Sequence, residues 1–202
     1  MNKSNTSKLL LGLLASVTII FIIWYHGGHS PLTDQEVSYY IEQIEAQHNN
    51  SGKHNIKVLK SFLENDDGKA FYTVNLYQYA KIAQYPQKKL DTISGRDAFD
   101  IFSAQMIKLL AKQGSHPIFG SDWTHKLTSS WDRIVIVRYR SRRDIAEIFI
   151  NPEFTQASVH KWAGIAKHDR LLVQGLHIPS FYPFLLIGLI LVILTMIRYL
   201  KK

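Results

Sequence analysis

The sequence predicts an α+β domain carried between two membrane-spanning helices. Residues 9–25 and 180–197 contain no charged residue, and each run is close to the ~20 apolar residues that a helix needs to cross a bilayer. In the segment between them, stretches with the two-residue period of strands are interspersed with stretches of helical period. Such a mixture of strands and helices around one core defines the α+β class.

A helical lead-in is predicted at the start of the intervening segment, over residues 26–55. Thr33 and Glu36 have the spacing of a capping box, in which the two side chains satisfy backbone donors at the start of a helix. Apolar residues then recur at helical spacing, which predicts a helix over about 34–47. A second, short helix is predicted from the apolar residues Ile56, Leu59, Phe62 and Leu63.

A strand and a long helix are predicted next. Residues 70–79 are rich in aromatic and β-branched types, which favour strands. After a loop over residues 80–93, Ser94 and Asp97 have capping-box spacing, with Asp in place of the usual Glu. Gly114 is a typical helix-ending residue. One face of the strand carries Phe71, Thr73, Asn75 and Tyr77.

The rest of the segment predicts two strands, two consecutive helices and a last strand. Ser141 and Asn151 are N-cap residues, and Pro152 fits the first position of a helix. The resulting order, β-α-β-β-α-β, is the ferredoxin-like arrangement of an antiparallel sheet with helices on one face. The expected elements are strands over 118–127, 131–140 and 170–176, and helices over about 142–149 and 152–167.

Charged residues beside the two apolar runs predict the topology. Lys3 and Lys8 precede the first run, and Arg198, Lys201 and Lys202 follow the second. Cations favour the cytoplasmic side, so we expect a two-pass protein with cytoplasmic termini and an extracytoplasmic central domain. The predicted divisions are a tip and membrane helix over 1–25, the lead-in over 26–55, the ferredoxin-like domain over 56–179, and a membrane helix and tip over 180–202.

Residues 1–25 could instead be a cleavable signal peptide. The run is longer than a usual signal core and ends in bulky Ile23, Trp24 and Tyr25. It also lacks a small-x-small cleavage site, which favours a retained anchor.

The charge and composition exclude several functions. The net charge is +8, but five cations and no acidic residue lie in the terminal segments, so the domain itself carries only +3. Nucleic-acid binding needs a concentrated basic surface, and none is evident. The absence of cysteine excludes disulfides and thiolate sites. His26 and His29 are too few ligands for a metal site, and the sequence contains no cofactor motif.

Several short motifs of the chain are similar to those of a known group of proteins. The motifs are Val74-Asn75-Leu76, Ser94–Ala98, Tyr139–Asp144, Asn151–Phe154, His160 and Ala163-Gly164. Over about residues 56–175, the chain resembles uncharacterised ferredoxin-like domains of the dimeric α/β-barrel superfamily, which are relatives of antibiotic-biosynthesis monooxygenases. The resemblance implies a homodimer with two sheets packed face to face, and a pocket between sheet and helices. It implies no particular reaction.

Four residues are candidates for binding a ligand in such a pocket: Asn75, Tyr77, Trp123 and His160. Asn is disfavoured in mid-strand, so Asn75 is either a pocket hydrogen-bonding group or a satisfied core amide. Trp123 shares a strand face with His125 and either lines a cavity with Tyr77 or fills the core. His160 is either a general base or a packed helix residue.

A cluster of four arginines, Arg138, Arg140, Arg142 and Arg143, is a candidate anion site. Arginine clusters attract phosphates, and two arginines in the first turn of a helix oppose its macrodipole. The alternative is a solvated strand end and helix start.

Two functions follow from these predictions. The favoured one is a membrane-anchored binding or assembly module that contacts the lipid bilayer and forms a homodimer. The alternative is a cofactor-independent oxygenase- or isomerase-like enzyme acting on an apolar small molecule, and it is supported by analogy of fold alone.

Overall fold

A computed structural model of the chain describes residues 3–26, 30–47, 52–86, 93–122, 130–175 and 182–200. The residues form two units, one comprising His26–Gly175 and the other Met1–Tyr25 with Leu176–Lys202. The second unit contains the terminal helices α1 (Lys3–His26) and α7 (Tyr182–Leu200). The first unit contains the remaining elements, which are α2 (Asp34–Glu45), α3 (Ile56–Glu64), β1 (Phe71–Tyr79), α4 (Gly95–Lys112), β2 (His116–Asp122), β3 (Arg133–Tyr139), α5 (Arg142–Ile150), α6 (Pro152–Gly164) and β4 (Ile165–Val173).

The two terminal helices differ in whether they are long and apolar enough to span a membrane. Lys8–His26 has a mean hydropathy of 2.1 and is wholly unburied, and among the described residues it is the one helix long and apolar enough to cross a bilayer. The apolar part of α7, Leu185–Tyr199, is shorter than the ~20 residues a crossing requires. The prediction of two spans is therefore supported for the first alone, and a signal sequence near the N-terminus would have the same properties.

The four strands form one antiparallel sheet in the order β2-β3-β1-β4. The elements of this unit follow the order β-α-β-β-α-β, in which the second helical position is divided into α5 and α6. Asn151 separates these two helices, since it ends α5 and accepts from the backbone N–H of Glu153 at the start of α6. The predicted ferredoxin-like arrangement is confirmed.

The two faces of the sheet have different surroundings. On β1, Phe71, Thr73, Asn75 and Tyr77 are buried, which is the alternation that the sequence predicts. On the opposite face, Val74 pairs with Ile136 of β3 and Leu171 of β4. Leu171 is 55% exposed, so the centre of this second face is apolar and only partly covered, while Asp169, opposite Leu76, brings charge to the same face.

The helical lead-in packs onto the ferredoxin-like elements. Thr33 and Glu36 form the predicted capping box at the start of α2. Val37 and Ile44 are buried in the main core, and a carboxylate–guanidinium pair joins Glu36 to Arg143 of α5.

Several element boundaries differ from the sequence prediction. Helix α6 ends at Gly164 rather than near residue 167, and β4 covers Ile165–Val173 rather than 170–176. The carbonyl of Gly164 accepts from the Ala80 N–H at 2.9 Å, so a distant loop occupies an acceptor at the helix end. A Cβ on Gly164 would lie 2.4 Å from the Gly95 carbonyl oxygen. This close approach of two backbones ends α6, and local propensity does not reveal it. Strand β2 likewise begins at His116, two residues before its predicted start.

Candidate functional site

The described part of the domain contains a partly open cavity of about 440 Å³ between the inner face of β4 and the helix α3. Apolar side chains from α3, α5 and α6 form much of its wall. The segment before α3 and the strand β4 add polar and cationic groups. The lining residues used below are Lys53, His54, Val58, Phe149, Trp162, His168 and Arg170.

Three cations lie at this cavity. Lys53 and Arg170 line it, and Lys161 lies beside it on α6. Lys161 is only 7% exposed, and its Nζ lies 4.6 Å from the ring centroid of Trp162 and 5.5 Å from that of Phe102. Burial lowers the pKa of the Lys161 ammonium well below its usual value, and repulsion from Arg170 and Lys53 adds to this effect.

Acidic partners for these cations are absent from the described residues. Lys53, Lys161 and Arg170 form no ion pair with any Asp or Glu there. The neighbouring segment 48–51, which lies outside the described residues, reads His-Asn-Asn-Ser and contains no acidic residue. The cavity wall therefore carries positive charge that the described structure does not neutralise.

Two histidines at the cavity are held neutral. Burial lowers the pKa of His54 to about 3, with repulsion from Arg170 and Lys161 as smaller causes. Burial also lowers the pKa of His168 to about 2, assisted by the same two cations. The charge of the cavity lining consequently comes from Lys53 and Arg170, and the imidazoles act as polar, uncharged surface.

Asn75 and Tyr77 of β1 contact His168, a residue of the cavity wall, from the neighbouring strand. The Oδ1 of Asn75 lies 3.3 Å from Nε2 of His168, and because an amide oxygen only accepts, Nε2 carries the proton. The Asn75 amide also donates to Thr73 Oγ1 at 2.9 Å. The Tyr77 ring stacks on His168 with centroids 4.7 Å apart. Both residues thus fix the orientation of His168.

Lys53 has an unusual backbone conformation at the cavity. Its φ is +47°, in the left-handed region that costs a residue with a Cβ roughly 1–2 kcal/mol. Its ammonium lies 4.7 Å from the centroid of the Trp162 ring, within the range of a cation–π interaction. The strained residue therefore presents its charge to the same indole that Lys161 contacts.

The predicted ligand-binding residues do not all meet at one place. The Nδ1 of His160 forms a 2.7 Å hydrogen bond with the Tyr85 hydroxyl, and the imidazole lies in a separate groove between α4 and α6 that includes Gln105 and Glu153. Trp123 and His125 lie outside the described residues. Of the predicted set, Asn75 and Tyr77 alone are placed at the cavity, as supports for His168.

The four arginines of the predicted anion site have separate partners in the fold. Arg140 forms a two-point pair with Asp144 at 3.0 and 3.1 Å. Arg142 donates to the Phe62 carbonyl and lies 3.8 Å from Asp66. Arg143 pairs with Glu36 and lowers the pKa of that carboxyl to about 2. Arg138 is buried on β3, opposite Tyr72 of β1. The four arginines are close together in sequence, but each makes a different contact in the fold.

Lys161 was the cavity residue that the sequence could have revealed. Phe154, Ala157, Ser158 and Lys161 share one face of α6, since they recur at helical spacing. A lysine on an apolar face is unusual because charged residues are rarely buried without a partner. His168 and Arg170 were missed because the boundary between α6 and β4 was placed too late, which hid their shared strand face.

Solved structures with a similar fold provide the comparison. RPA0582, a protein of unknown function from Rhodopseudomonas palustris, matches with a TM-score of 0.55 and 20% identity over 60% of this chain and 94% of that one. A dimeric protein of unknown function and ferredoxin-like fold from Bacteroides fragilis matches with a TM-score of 0.38 and 10% identity over 52% of this chain and 95% of its own. SnoaB, a cofactor-independent oxygenase from Streptomyces nogalater, has the same score and identity over 55% and 98% of the two chains.

Comparison of sequences does not assign the chain to a family. No protein-family model matches the chain, and no curated protein matches it. At these identities the structural similarities establish the fold alone, and function has to be argued from the cavity.

Proposed function

We propose that the chain is a membrane-anchored binding module whose extracytoplasmic domain holds a small molecule in the cavity beside β4. The observation that carries this proposal is the cavity of about 440 Å³ itself. Its size is within the range of small-molecule sites, and it combines apolar walls with a few convergent polar groups, as such sites do.

The anchor in this proposal is α1. Its span Lys8–His26 is apolar and unburied, and a second crossing by α7 with both termini in the cytoplasm accounts for the cations at both ends. Reporter fusions after residue 202 and near Gln84 should then give opposite topological readouts. A cytoplasmic readout from the fusion near Gln84 would refute this topology.

The enzyme alternative has less support. It needs a general base in the cavity, and His160, the candidate base, lies in a different groove. The imidazoles that do line the cavity, His54 and His168, have pKa values lowered to about 3 and about 2, far below the operating pH at which a general base is effective.

Native mass spectrometry of the full chain released from mild detergent tests the binding function. The wild-type chain should retain a small molecule as added mass. Val58→Trp should reduce that retention, because Val58 lines the cavity and the larger side chain occupies its volume. Val58 is 60% exposed, so the substitution is compatible with folding.

Ile107→Trp is the matched control for this experiment. Ile107 is a helical, aliphatic residue that is 53% exposed, and it does not line the cavity. Its variant should retain the molecule like the wild type. Absence of added mass in the wild-type chain, or equal retention in Val58→Trp, would contradict the proposed site.

A further inference from the structure

We propose that the cavity binds an anion with an apolar body, whose charged head is neutralised by Lys161, Arg170 and Lys53. This inference rests on the proposed binding function and names the chemical class of the ligand. It is carried by the burial of Lys161 and by the position of Lys53 and Arg170 in the cavity lining.

The buried position of Lys161 is the first step. Transfer of an ammonium from water into a protein interior is costly unless the charge is paired. Lys161 is 7% exposed, and its described polar surroundings are cationic, since Arg170 and Lys53 both repel its charge. Lys53 and Arg170 are exposed, so Lys161 is the group for which burial demands a partner, and an anion in the cavity would supply it.

The geometry around Trp162 is the second step. The ammonium groups of Lys53 and Lys161 lie 4.7 and 4.6 Å from the centroid of the same indole ring. Trp162 and Arg170 both line the cavity. Lys53 and Arg170 therefore present charge to the cavity itself, and Lys161, which does not line it, lies beside Trp162 and is repelled by both. The guanidinium of Arg170 has the planar donor pattern that matches carboxylate and phosphate oxygens.

The walls of the cavity are the third step. A bare inorganic anion would leave the apolar lining in contact with water. An apolar body removes that lining from water and gains roughly 25 cal/mol for each Å² of apolar surface buried. The apolar lining consists of Val58, Leu59, Phe62, Ile145, Phe149 and Leu172.

The head group is either a carboxylate or a phosphate ester, because the same cations recognise both. Three probes that share one aromatic body distinguish these head groups: 2-naphthoate, 2-naphthyl phosphate and the neutral amide 2-naphthamide. Calorimetric titration of the full chain in zwitterionic lipid nanodiscs measures their affinities without competition from anionic lipid.

At least one anionic probe should bind roughly tenfold or more tightly than the amide, a ratio equivalent to ~1.4 kcal/mol. The tighter anion identifies the head group. This preference should fall to about twofold or less in Lys161→Met and in Arg170→Gln. Arg170 is an exposed residue, so its variant tests the inference even if the Lys161 variant folds poorly. Lys57→Gln removes an exposed cation of α3 that does not line the cavity, and it should keep the preference.

Different results would refute the anionic class of the ligand and the binding function. Equal binding of the acid and amide probes, lost in Val58→Trp, would overturn the anion assignment and leave the binding function intact. An anion preference that persists in both Lys161→Met and Arg170→Gln would also overturn it. Failure of all three probes to bind would overturn the inference, whereas the binding function would be refuted only by the absence of added mass in native mass spectrometry of the wild-type chain.

Discussion

The role of Lys161 can be tested by measuring stability, because a structural lysine and a ligand-binding lysine have opposite effects on the free energy of unfolding. A structural lysine would stabilise the fold through its contacts, whereas an unpaired buried ammonium destabilises it. The aliphatic part of the side chain packs on α6 neighbours in either case. A substitution that keeps this packing and removes the charge therefore separates the two roles.

Lys161→Met should raise the free energy of unfolding of the ligand-free chain, because it keeps most of the buried volume and removes an ammonium whose burial is costly. Replacement of buried ion pairs by apolar residues gains ~1–4 kcal/mol, and we expect a gain no larger than this. Denaturant unfolding of the chain in mild detergent measures the change. Lys57→Met, at an exposed position of α3, should shift stability by no more than ~0.5 kcal/mol. Loss of stability in Lys161→Met would show that the ammonium has a structural partner.

His54 and His168 predict a loss of stability in acid. Their pKa values in the folded chain are about 3 and about 2, whereas unfolded histidine titrates near 6.5. As pH falls below 6.5, the unfolded state takes up these protons before the folded state does, so stability decreases. Each histidine contributes up to ~1.4 kcal/mol per pH unit to this slope.

The slope is to be measured by denaturant unfolding between pH 6.5 and 4.5, above the range in which Glu36 adds its own effect. Glu36 has its pKa lowered from 4.5 to about 2, so its stabilising pair with Arg143 weakens only as pH falls below 4.5. His54→Phe and His168→Phe should each remove about half of the slope. A wild-type stability that is constant across this interval would mean that both imidazoles are accessible to protons in the folded state.

At the scale of elements, the junction between α6 and β4 depends on two glycines from distant parts of the chain. Gly164 of α6 meets Gly95 of α4, and the carbonyl oxygen of either one lies 2.4 Å from a Cβ built on the other. The same junction sets the register of β4 and hence the position of His168 and Arg170 at the cavity. The approach of α4 to α6 therefore determines the geometry of the site.

Gly164→Ala should destabilise the domain by more than ~2 kcal/mol, because its Cβ would meet backbone atoms that cannot move aside. The clashing atoms are the Gly95 carbonyl oxygen at 2.4 Å and the Phe99 nitrogen at 2.8 Å. Gly120→Ala is the matched control, since nothing lies within 4 Å of its Cβ, and it should be neutral or slightly stabilising. Equal thermal midpoints for the two variants would refute the close packing.

The same junction shows what the sequence can and cannot predict. Helix starts were predictable, because Thr33, Ser94, Ser141 and Asn151 bond to nearby backbone groups and the cause is local. The end of α6 was not, because it depends on a hydrogen bond from Ala80, more than eighty residues earlier. The arginine cluster illustrates the same limit, since the distant partner Glu36 decides the contact that Arg143 makes.

The candidate site was predictable only in part for a related reason. Asn75 and Tyr77 were predicted from their residue types and their shared face of β1, and both contact His168 in the cavity wall. The cations at the cavity come from the segment before α3, from α6 and from β4. Their convergence is a property of the packed elements, which no local pattern contains.

At the scale of the whole molecule, one face of the sheet is only partly covered by the chain itself. Helices cover the face that carries Asn75, while the opposite face presents apolar side chains from neighbouring strands. Phe119 and Leu171 on that face are 49% and 55% exposed. An antiparallel sheet can leave one face in water when that face is polar, whereas the centre of this one is apolar, with the charged residues Asp169 and Lys167 of β4 beside it. We propose that a second copy of the chain covers it, sheet against sheet.

Ile136→Asp tests this interface, because Ile136 lies at the centre of the apolar face, paired with Val74 on β1 and Phe119 on β2. The wild-type chain should be dimeric by native mass spectrometry from mild detergent, and Ile136→Asp should be a folded monomer, since a buried unpaired carboxylate would oppose association. Val159→Asp places the same charge on an exposed position of α6, where Val159 is 49% exposed, and the dimer should persist. A dimer that survives Ile136→Asp would place the association outside the sheet face, and a monomeric wild-type chain would refute the homodimer.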